Sequence, residues 1–327
     1  MSLQGVIGAT ADRPLVSVVM PAYNAAPYVE QAVRCALDQA GAEVELLFVD
    51  DGSTDTTAEI VQRLQAEYGP RLTLLRGARG GPYPARNRAL QAARGEFVAF
   101  LDADDWWEPD FVATLLQELQ DAGADIAYCG WRNVGEGISG GRAEPYVPPA
   151  YEDGDPVEHF LRGCPWPIHG ALLRRQVVDA VGGFSERLFS SMDYDLWIRL
   201  LAVTRNMVRV PRVLAYYRWH GSGQISAVKW RQVLHAWQVR RDFVAANPAL
   251  VAHLGAARRR ELVDGPLLEQ GRTLFWRRDL EGAQHLLRRA LATGAWRLAD
   301  LPLLAAAALP APVFAGLVRR ADSRSRP

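Results

Sequence analysis

The sequence contains little cysteine and no excess of either charge. Its 327 residues include three cysteines, which are widely spaced and form no CxxC pair. This pattern argues against a disulfide framework and a zinc knuckle, and it is typical of a reducing compartment. Lys and Arg together number 37, as do Asp and Glu, so the formal charge is zero. We therefore expect no nucleic-acid partner.

Long apolar segments are also scarce. Residues 1–13 lack a charged start followed by an apolar run, so we expect no secretory signal. The uncharged segment Leu301–Val318 is interrupted by prolines and is more typical of a buried or interfacial helix pair than of a membrane span.

Basic residues follow that apolar segment, namely Arg319, Arg320, Arg324 and Arg326. Two alternatives stay open: peripheral contact with an anionic membrane, or two short helices packed against the protein. The expected location is cytoplasmic, with the inner face of the membrane as the alternative.

Short apolar runs and amphipathic segments alternate from Leu15 to about Tyr128, which indicates βαβ units with a parallel sheet. Strands are predicted at Leu15–Met20, Glu45–Asp50, Leu72–Arg76 and Phe97–Leu101. Helices are predicted at Ala26–Asp38, Thr54–Tyr68 and Ala85–Arg94. The fold class is therefore α/β, with a doubly wound arrangement.

The rest of the chain is less regular. A Gly- and Pro-rich stretch from Gly130 to Asp155 predicts a long loop, and Asp193–Ala202 predicts a helix. Two further strands are predicted at Met207–Val213 and Leu214–Arg218, followed by a helical C-terminal part. We expect a catalytic domain over residues 14–226 and a helical region over residues 227–327.

Three predicted strands end in short polar segments. These are Pro21-Ala22-Tyr23-Asn24, Asp50-Asp51-Gly52-Ser53 and Asp102-Ala103-Asp104-Asp105. In open parallel sheets, ligands bind at the carboxyl ends of the strands. Two carboxylates at such an edge suit Mg²⁺ or Mn²⁺, which take oxygen ligands and keep substrate phosphates. The alternative for the two Asp-containing segments is a solvated turn or a helix cap.

Read in order, four motifs resemble glycosyltransferase family 2. They are Val16–Asn24, Phe48–Asp55, Ala85–Arg88 and Gly95–Asp105. The resemblance covers residues 14–226 and implies the GT-A fold, a Rossmann-like nucleotide-binding domain with a mixed, mainly parallel sheet, followed here by a small C-terminal helical region. It implies an inverting enzyme that uses a nucleotide-sugar donor, with a UDP-sugar favoured, and a glycan or lipid-linked acceptor in polysaccharide synthesis.

The resemblance also implies roles in the donor site. The nucleobase pocket would be lined by Pro21, Ala22 and Tyr23, with Asp51 on the base and Asp102 near the ribose. Asp104 would be the principal ligand of Mg²⁺ or Mn²⁺, assisted by Asp102, and Asp105 is a substitute ligand that sequence does not rank against Asp102. Arg86 would act on the diphosphate or hold the aspartates in place.

The segments Gly182–Glu186 and Ser191–Trp197 resemble the acceptor side of the family. Asp193 takes the position of the catalytic base, while Met192 replaces the glutamate that commonly precedes it. His220 would contact the diphosphate or the metal. Contacts to the acceptor or sugar are expected from Trp106, Trp166 and Asp195, although aromatic residues are often buried for their apolar area.

Two other enzyme classes share the α/β pattern. A dinucleotide-dependent oxidoreductase would carry GxGxxG after the first strand, and a sugar-1-phosphate nucleotidyltransferase would carry a Gly-rich phosphate loop there. Pro21–Asn24 stands in that place instead. A nucleotide-sugar-binding scaffold protein without turnover is the non-enzyme alternative, which Met192 leaves open.

Overall fold

The computed structural model describes residues 14–136, 138, 141–220 and 228–324, with side chains to residue 322. The expectations for residues 1–13 and for Arg326 lie outside these ranges, as does the side chain of Arg324. Within them, the chain forms two compact units: residues 14–150, 166–183 and 206–219, and residues 151–165, 184–205 and 220–324.

The first unit is built on one mixed sheet of eight described strands. The strands are β1 (Leu15–Ala22), β2 (Glu43–Asp50), β3 (Leu72–Arg76), β4 (Phe97–Phe100), β5 (Trp106–Trp107), β6 (Ile126–Gly135), β7 (Ala171–Arg174) and β8 (Met207–Trp219). Their order is β3-β2-β1-β4-β7-β6-β8-β5. Strands β1 to β4 are parallel neighbours, whereas β7 pairs antiparallel with both β4 and β6. The mixed, mainly parallel sheet expected from the sequence is confirmed.

Helices of the first unit flank this sheet. They are α1 (Val29–Leu37), α2 (Thr57–Tyr68), α3 (Pro82–Ala92), α4 (Phe111–Asp121) and α6 (Arg175–Ala180), with α5 (Pro156–Arg162) belonging to the second unit. Apolar residues of α1, α2 and α4 pack with one face of the sheet in a single core. Helix α3 packs against β1 and β2. Buried parallel strands read as continuous apolar runs, which explains why β1 to β4 are predictable.

Two sequence predictions for this unit are wrong. Strand β6 extends to Gly135, into the predicted loop, and β8 is one strand rather than two. The registers of β6 and β8 shift where Cys129 pairs with Val210 and Gly130 with Val213. The extra residues Pro211 and Arg212 form a bulge there, so the strand continues past a proline that suggests a break.

The second unit contains α5, α7 (Met192–Leu200), α8 (Lys229–Ala246), α9 (Ala256–Trp276), α10 (Leu280–Thr293), α11 (Leu301–Ala308) and α12 (Ala311–Arg324). These units do not follow the predicted boundary at residue 226. The reason is that α5 and α7 pack with each other and with C-terminal helices. Tyr194 Oη of α7 donates to the Phe160 carbonyl of α5 at 2.5 Å, Arg258 of α9 pairs with Glu158 of α5 at 2.5 Å, and α7 packs against α8.

The apolar segment Leu301–Val318 forms α11 and α12, divided at Pro310. Gln284 and Arg288 of α10 donate to the carbonyl oxygens of Ala307 and Leu309 at 2.6–3.0 Å, which fixes the end of α11. Over the described ranges, none of the helices combines the length and the apolar character that crossing a membrane requires.

Candidate active site

The carboxyl ends of β1, β2 and β4 meet at one edge of the sheet. Ala22 pairs with Asp50, and the amide of Asp51 donates to the Ala22 carbonyl at 2.8 Å. The amide of Leu101 donates to the Val19 carbonyl at 3.1 Å, which brings the next residue, Asp102, to the same edge. The expected convergence of the three polar segments is therefore present in the fold.

Asp51 organises the loop between β3 and α3. Its carboxylate is buried, and its two oxygens accept hydrogen bonds from the amides of Gly80 and Gly81, each at 2.8 Å. Gly81 has a φ of 96°, which favours glycine. A carboxylate oxygen carries a second lone pair, so Asp51 keeps acceptor capacity for a further donor.

Arg79 lies on the loop that Asp51 holds, and sequence reasoning did not select it. Its guanidinium carbon is 3.9 Å from the ring centroid of Tyr23, and Nη1 donates to the Tyr23 hydroxyl at 3.0 Å. The Tyr23 side chain is partly exposed at the strand end. The signal in the sequence is a lone basic residue in a glycine-rich loop, Gly77–Gly81, directly after a predicted strand. The contact between the Arg79 guanidinium and the Tyr23 ring orders both side chains and gives this strand end a polar surface.

Arg86, on helix α3, contacts the segment Asp102–Asp105 through Asp102. Arg86 is 4% exposed and forms an ion pair with Asp102, whose side chain is 29% exposed. Of the two expectations for Arg86, the observed contact is the one that holds an aspartate in place. A buried arginine needs such a partner, because an unpaired buried charge is strongly unfavourable.

Asp102 and Asp104 are both partly exposed, while Ala103 between them is buried. Arg218 of β8 holds this turn through one backbone and one side-chain contact. Its Nε donates to the Asp104 carbonyl at 2.8 Å, and its amide donates to the Asp105 carboxylate at 2.7 Å. The turn therefore holds two accessible carboxylates on a restrained backbone.

Asp105 is separated from these two carboxylates by its burial. Its side chain is fully buried, and Oδ2 lies 3.0 Å from Nδ1 of His169, which is also fully buried. Burial raises the pKa of Asp105, the charge of His169 opposes this, and Asp104 and Asp102 add to the rise. The expectation that Asp105 could substitute as a metal ligand is corrected, because its carboxylate faces a buried histidine.

The described residues contain no group of three or more His, Cys, Asp or Glu side chains that could hold a cation. Two oxygen ligands from Asp102 and Asp104 still fit Mg²⁺ or Mn²⁺, because these ions commonly bind one or two carboxylates together with phosphate oxygens and water. His220 lies in the second unit, next to residues 221–227 outside the described ranges. Its role at a metal remains a prediction.

The two acidic residues of α7 have different surroundings. Asp195 is 3% exposed and pairs with Arg187 at 2.8 Å and with Arg199 at 2.6 Å. The expected contact of Asp195 with an acceptor is corrected, because its carboxylate is buried and both of its oxygens are paired with arginines. Asp193 is partly exposed, whereas Met192 beside it is fully buried.

The two tryptophans expected at a sugar also differ. Trp166 is 1% exposed and stacks on Tyr128 with ring centroids 4.4 Å apart. It is a core residue, so the sugar-stacking expectation for Trp166 is corrected. Trp106 is partly buried, stacks on Tyr216 at 5.1 Å, and lies 4.6 Å from the Arg218 guanidinium carbon.

Comparison with known proteins decides between the enzyme classes. The model of Glycosyl transferase family 2 matches residues 17–182, half of the chain. The chain belongs to glycosyltransferase family 2. It is therefore a glycosyltransferase, and the resemblance read from the four motifs is confirmed.

Relatives of this family 2 member carry names from polysaccharide synthesis. TuaG of Bacillus subtilis, named as a teichuronic acid biosynthesis glycosyltransferase, is 27% identical over 240 residues, which cover 70% of this chain and 88% of TuaG. The hyaluronan synthase of Pasteurella multocida is 32% identical over 247 residues, which cover 72% of this chain. The match spans only 23% of that synthase, so the chain corresponds to a small part of it.

Solved GT-A structures share the fold. S. aureus TarS 1-349 in complex with UDP-GlcNAc superposes with a TM-score of 0.64 at 20% identity, covering 89% of this chain and 86% of that one. Mannosyltransferase PcManGT from Pyrobaculum calidifontis, in complex with GDP-Man and Mn²⁺, superposes with a TM-score of 0.57 at 22% identity, covering 88% of each chain. The GT-A fold expected for this glycosyltransferase is confirmed.

Proposed function

We propose that this glycosyltransferase moves a sugar from a nucleoside-diphosphate sugar to an acceptor hydroxyl, with inversion, in the synthesis of a glycan or cell-surface polysaccharide. The observation that carries this proposal is the meeting of three strand ends, which brings Tyr23, Asp51 and Asp102 to one edge. The names of TuaG and hyaluronan synthase support a polysaccharide product.

The donor site combines an aromatic ring, a buried acceptor and a carboxylate pair. Tyr23 would stack on the nucleobase beside Pro21 and Ala22, while Asp51 accepts from a base N–H. Asp102, held by Arg86, would accept from the ribose hydroxyls. The UDP-GlcNAc bound to TarS favours a uridine donor, whereas the GDP-Man bound to PcManGT shows that the fold also takes guanosine.

The diphosphate requires a positive charge beside Asp104 and Asp102, because phosphates and carboxylates repel each other. These two residues would hold Mg²⁺ or Mn²⁺, and PcManGT binds Mn²⁺. When bound, the ion would neutralise charge that develops on the leaving diphosphate. Asp102 and Asp104 would supply its protein ligands, and the remaining positions would go to phosphate oxygens and water.

Direct displacement with inversion requires a base that takes the proton of the attacking hydroxyl. Asp193 is our candidate, because its side chain is partly exposed in the first turn of α7 while Asp195 is engaged by two arginines. The amide of Asp193→Asn keeps the shape and loses the basicity. We expect transfer to fall by about 10²-fold or more, with donor binding nearly unchanged.

Isothermal titration with UDP and Mn²⁺, with and without EDTA, tests the donor site. We expect EDTA to abolish most of the affinity and Asp104→Ala to abolish its metal dependence. The matched control is Asp110→Ala, which removes a carboxylate paired with Arg212 at the start of α4. Equal affinity for UDP without metal, or full metal dependence in Asp104→Ala, would refute the metal assignment.

We also propose that α12 makes a peripheral membrane contact. Leu304 and Phe314 are buried, but Val313 and Leu317 lie one turn apart on α12 and are 48% and 43% exposed. Arg320 follows on the same side by helical spacing, and Arg319 is exposed. An apolar stripe with adjacent arginines suits an anionic lipid surface, where each basic residue adds roughly 1 kcal/mol.

Flotation with anionic and neutral liposomes tests this contact in the full chain. The double variant Val313→Asp, Leu317→Asp should lose binding to anionic vesicles, while Val203→Asp, an exposed control between α7 and β8, should not. A full chain that stays in the soluble fraction with anionic vesicles at low salt would refute the proposal.

A further inference from the structure

The residue before α7 has an unusual backbone conformation. Ser191 is the N-cap of this helix and has a φ of 63° and a ψ of 23°, in the left-handed region. A side chain other than glycine is disfavoured there, so such a conformation persists only where surrounding contacts hold it. Ser191 lies two residues before Asp193, which makes its conformation relevant to the position of that carboxylate.

Helix α8 supplies the contacts on this side of α7. The hydroxyl of Ser190, which is 4% exposed, lies 2.6 Å from Nδ1 of His235. The hydroxyl of Ser191 donates to the Gln232 carbonyl at 3.4 Å. Gln232 and His235 are neighbours on one face of α8, three residues apart. Two consecutive serines are therefore bonded to one turn of a neighbouring helix.

The state of the His235 ring suits this contact. Burial lowers the pKa of His235, and the nearby charge of Arg231 lowers it further. A lowered pKa favours the neutral ring, in which one nitrogen accepts a hydrogen bond and the other donates. The hydrogen bond between Ser190 and His235 therefore joins two uncharged groups.

Met192 anchors the same turn of α7. It is the first residue of the helix, and its side chain is fully buried. The start of α7 is therefore held in two ways: by the buried side chain of Met192 and by the contacts of Ser190 and Ser191 with α8. Asp193 directly follows these anchors along the chain.

We infer that His235 is a positioning residue: through Ser190 it holds the left-handed Ser191 and so fixes the orientation of the Asp193 carboxylate. This inference rests on the proposed role of Asp193 as the base. His235 itself does not touch the substrate in this scheme. Losing its contact should misplace the base, which lowers the rate of transfer and leaves donor binding unaffected.

The experiment compares two substitutions of His235 in the full chain. His235→Asn retains a polar atom near the place of Nδ1, whereas His235→Leu removes it. Turnover is measured as release of nucleoside diphosphate from whichever sugar in a panel of UDP- and GDP-sugars is used fastest. We expect kcat to fall at least tenfold in His235→Leu and less than threefold in His235→Asn, with the donor KM within twofold of wild type in both.

A double-mutant cycle gives the sharper test. Ser190→Ala and His235→Leu should each lower kcat, and the double variant should be no slower than the slower single variant, because both break one contact. His285→Asn on α10 is the control histidine, stacked on Trp230 and outside this contact. It should match wild type in kcat.

Asp193→Asn separates this inference from the proposed function. If His235→Leu is slow and adds no further loss in an Asp193→Asn background, both proposals stand. If Asp193→Asn is as active as wild type, the assignment of the base fails, and the inference fails with it. If Asp193→Asn is slow but His235→Leu keeps its kcat, or if His235→Asn is as slow as His235→Leu, only the positioning role of His235 is refuted.

Discussion

Replacing Asp195 by alanine should destabilise the second unit, because this carboxylate is buried between two arginines. Asp195 pairs with Arg187 at 2.8 Å and with Arg199 at 2.6 Å, and its own side chain is 4% exposed. A hydrogen bond to a charged group contributes about 1.5–3 kcal/mol. Arg187 also pairs with Asp242, so one of the two arginines keeps a partner after the substitution.

The exposure of the arginines sets the size of the effect. The side chains of Arg187 and Arg199 are 38% and 27% exposed, so water can solvate both when Asp195 is removed. We therefore expect a loss of about 2–3 kcal/mol, below the usual 3–5 kcal/mol for a fully buried pair. At about 2–4 °C per kcal/mol, the unfolding midpoint should fall by roughly 4–12 °C.

Thermal unfolding and turnover should be measured together on Asp195→Ala and Asp193→Asn. Asp193 is partly exposed, so its substitution should change stability by less than about 1 kcal/mol while it reduces turnover. Asp195→Ala should show the reverse at temperatures well below its midpoint. An unchanged midpoint with lost turnover in Asp195→Ala would refute the structural assignment and make Asp195 a catalytic candidate.

Three further substitutions test other contacts. Asp105→Ala should lower stability by about 3–5 kcal/mol in denaturant unfolding, since it leaves buried His169 without its partner, and a loss below 1 kcal/mol would contradict the buried pair. Gly183→Ala should destabilise by at least about 1 kcal/mol, because φ is 70° and the added Cβ would lie 2.7 Å from Asn87 Oδ1; a neutral melting curve would show that α3 yields there. Burial opposes ionisation of Glu45, but hydrogen bonds from Ser17 and Arg94 outweigh it and lower the pKa below the ordinary 4.5. The stabilisation by Glu45 is therefore complete above about pH 4.5 and is lost as the pH falls through the lowered pKa, so Glu45→Gln should flatten the acid side of the stability curve.

The parallel strands and their polar ends could be predicted because local pattern determines them. Leu72–Arg76 is a strand in the sequence and in the structure, and Asp102 follows a buried strand in both. The hydrophobic pattern of a strand does not show, however, how deeply each polar residue after it is buried. Asp102 and Asp105 look equivalent in the sequence, yet one is partly exposed and the other faces a buried histidine that lies 64 residues further along the chain.

Contacts outside each local pattern explain other differences. Asp195 lies two residues after the candidate base, but Arg187, on the segment preceding α7, pairs with it. Trp166 lies in a Pro-rich stretch that suggests a cleft loop, but in the structure its ring stacks on Tyr128 in the core. Helices α5 and α7 also contact distant segments, since α5 pairs with α9 through Glu158 and Arg258, and α7 packs against α8. Contacts of this kind are properties of the packed chain.

The carboxylate of Asp51 is anchored by two backbone amides before any ligand arrives. An ionised carboxylate has no proton to donate, so any group that binds to it must bring one. Because the loop amides already fix its orientation, it would not need to reorganise on binding. A substitution at Asp51 therefore alters two things at once, the edge offered to a ligand and the course of the Gly77–Gly81 loop, and only binding data combined with a structure of the variant would separate them.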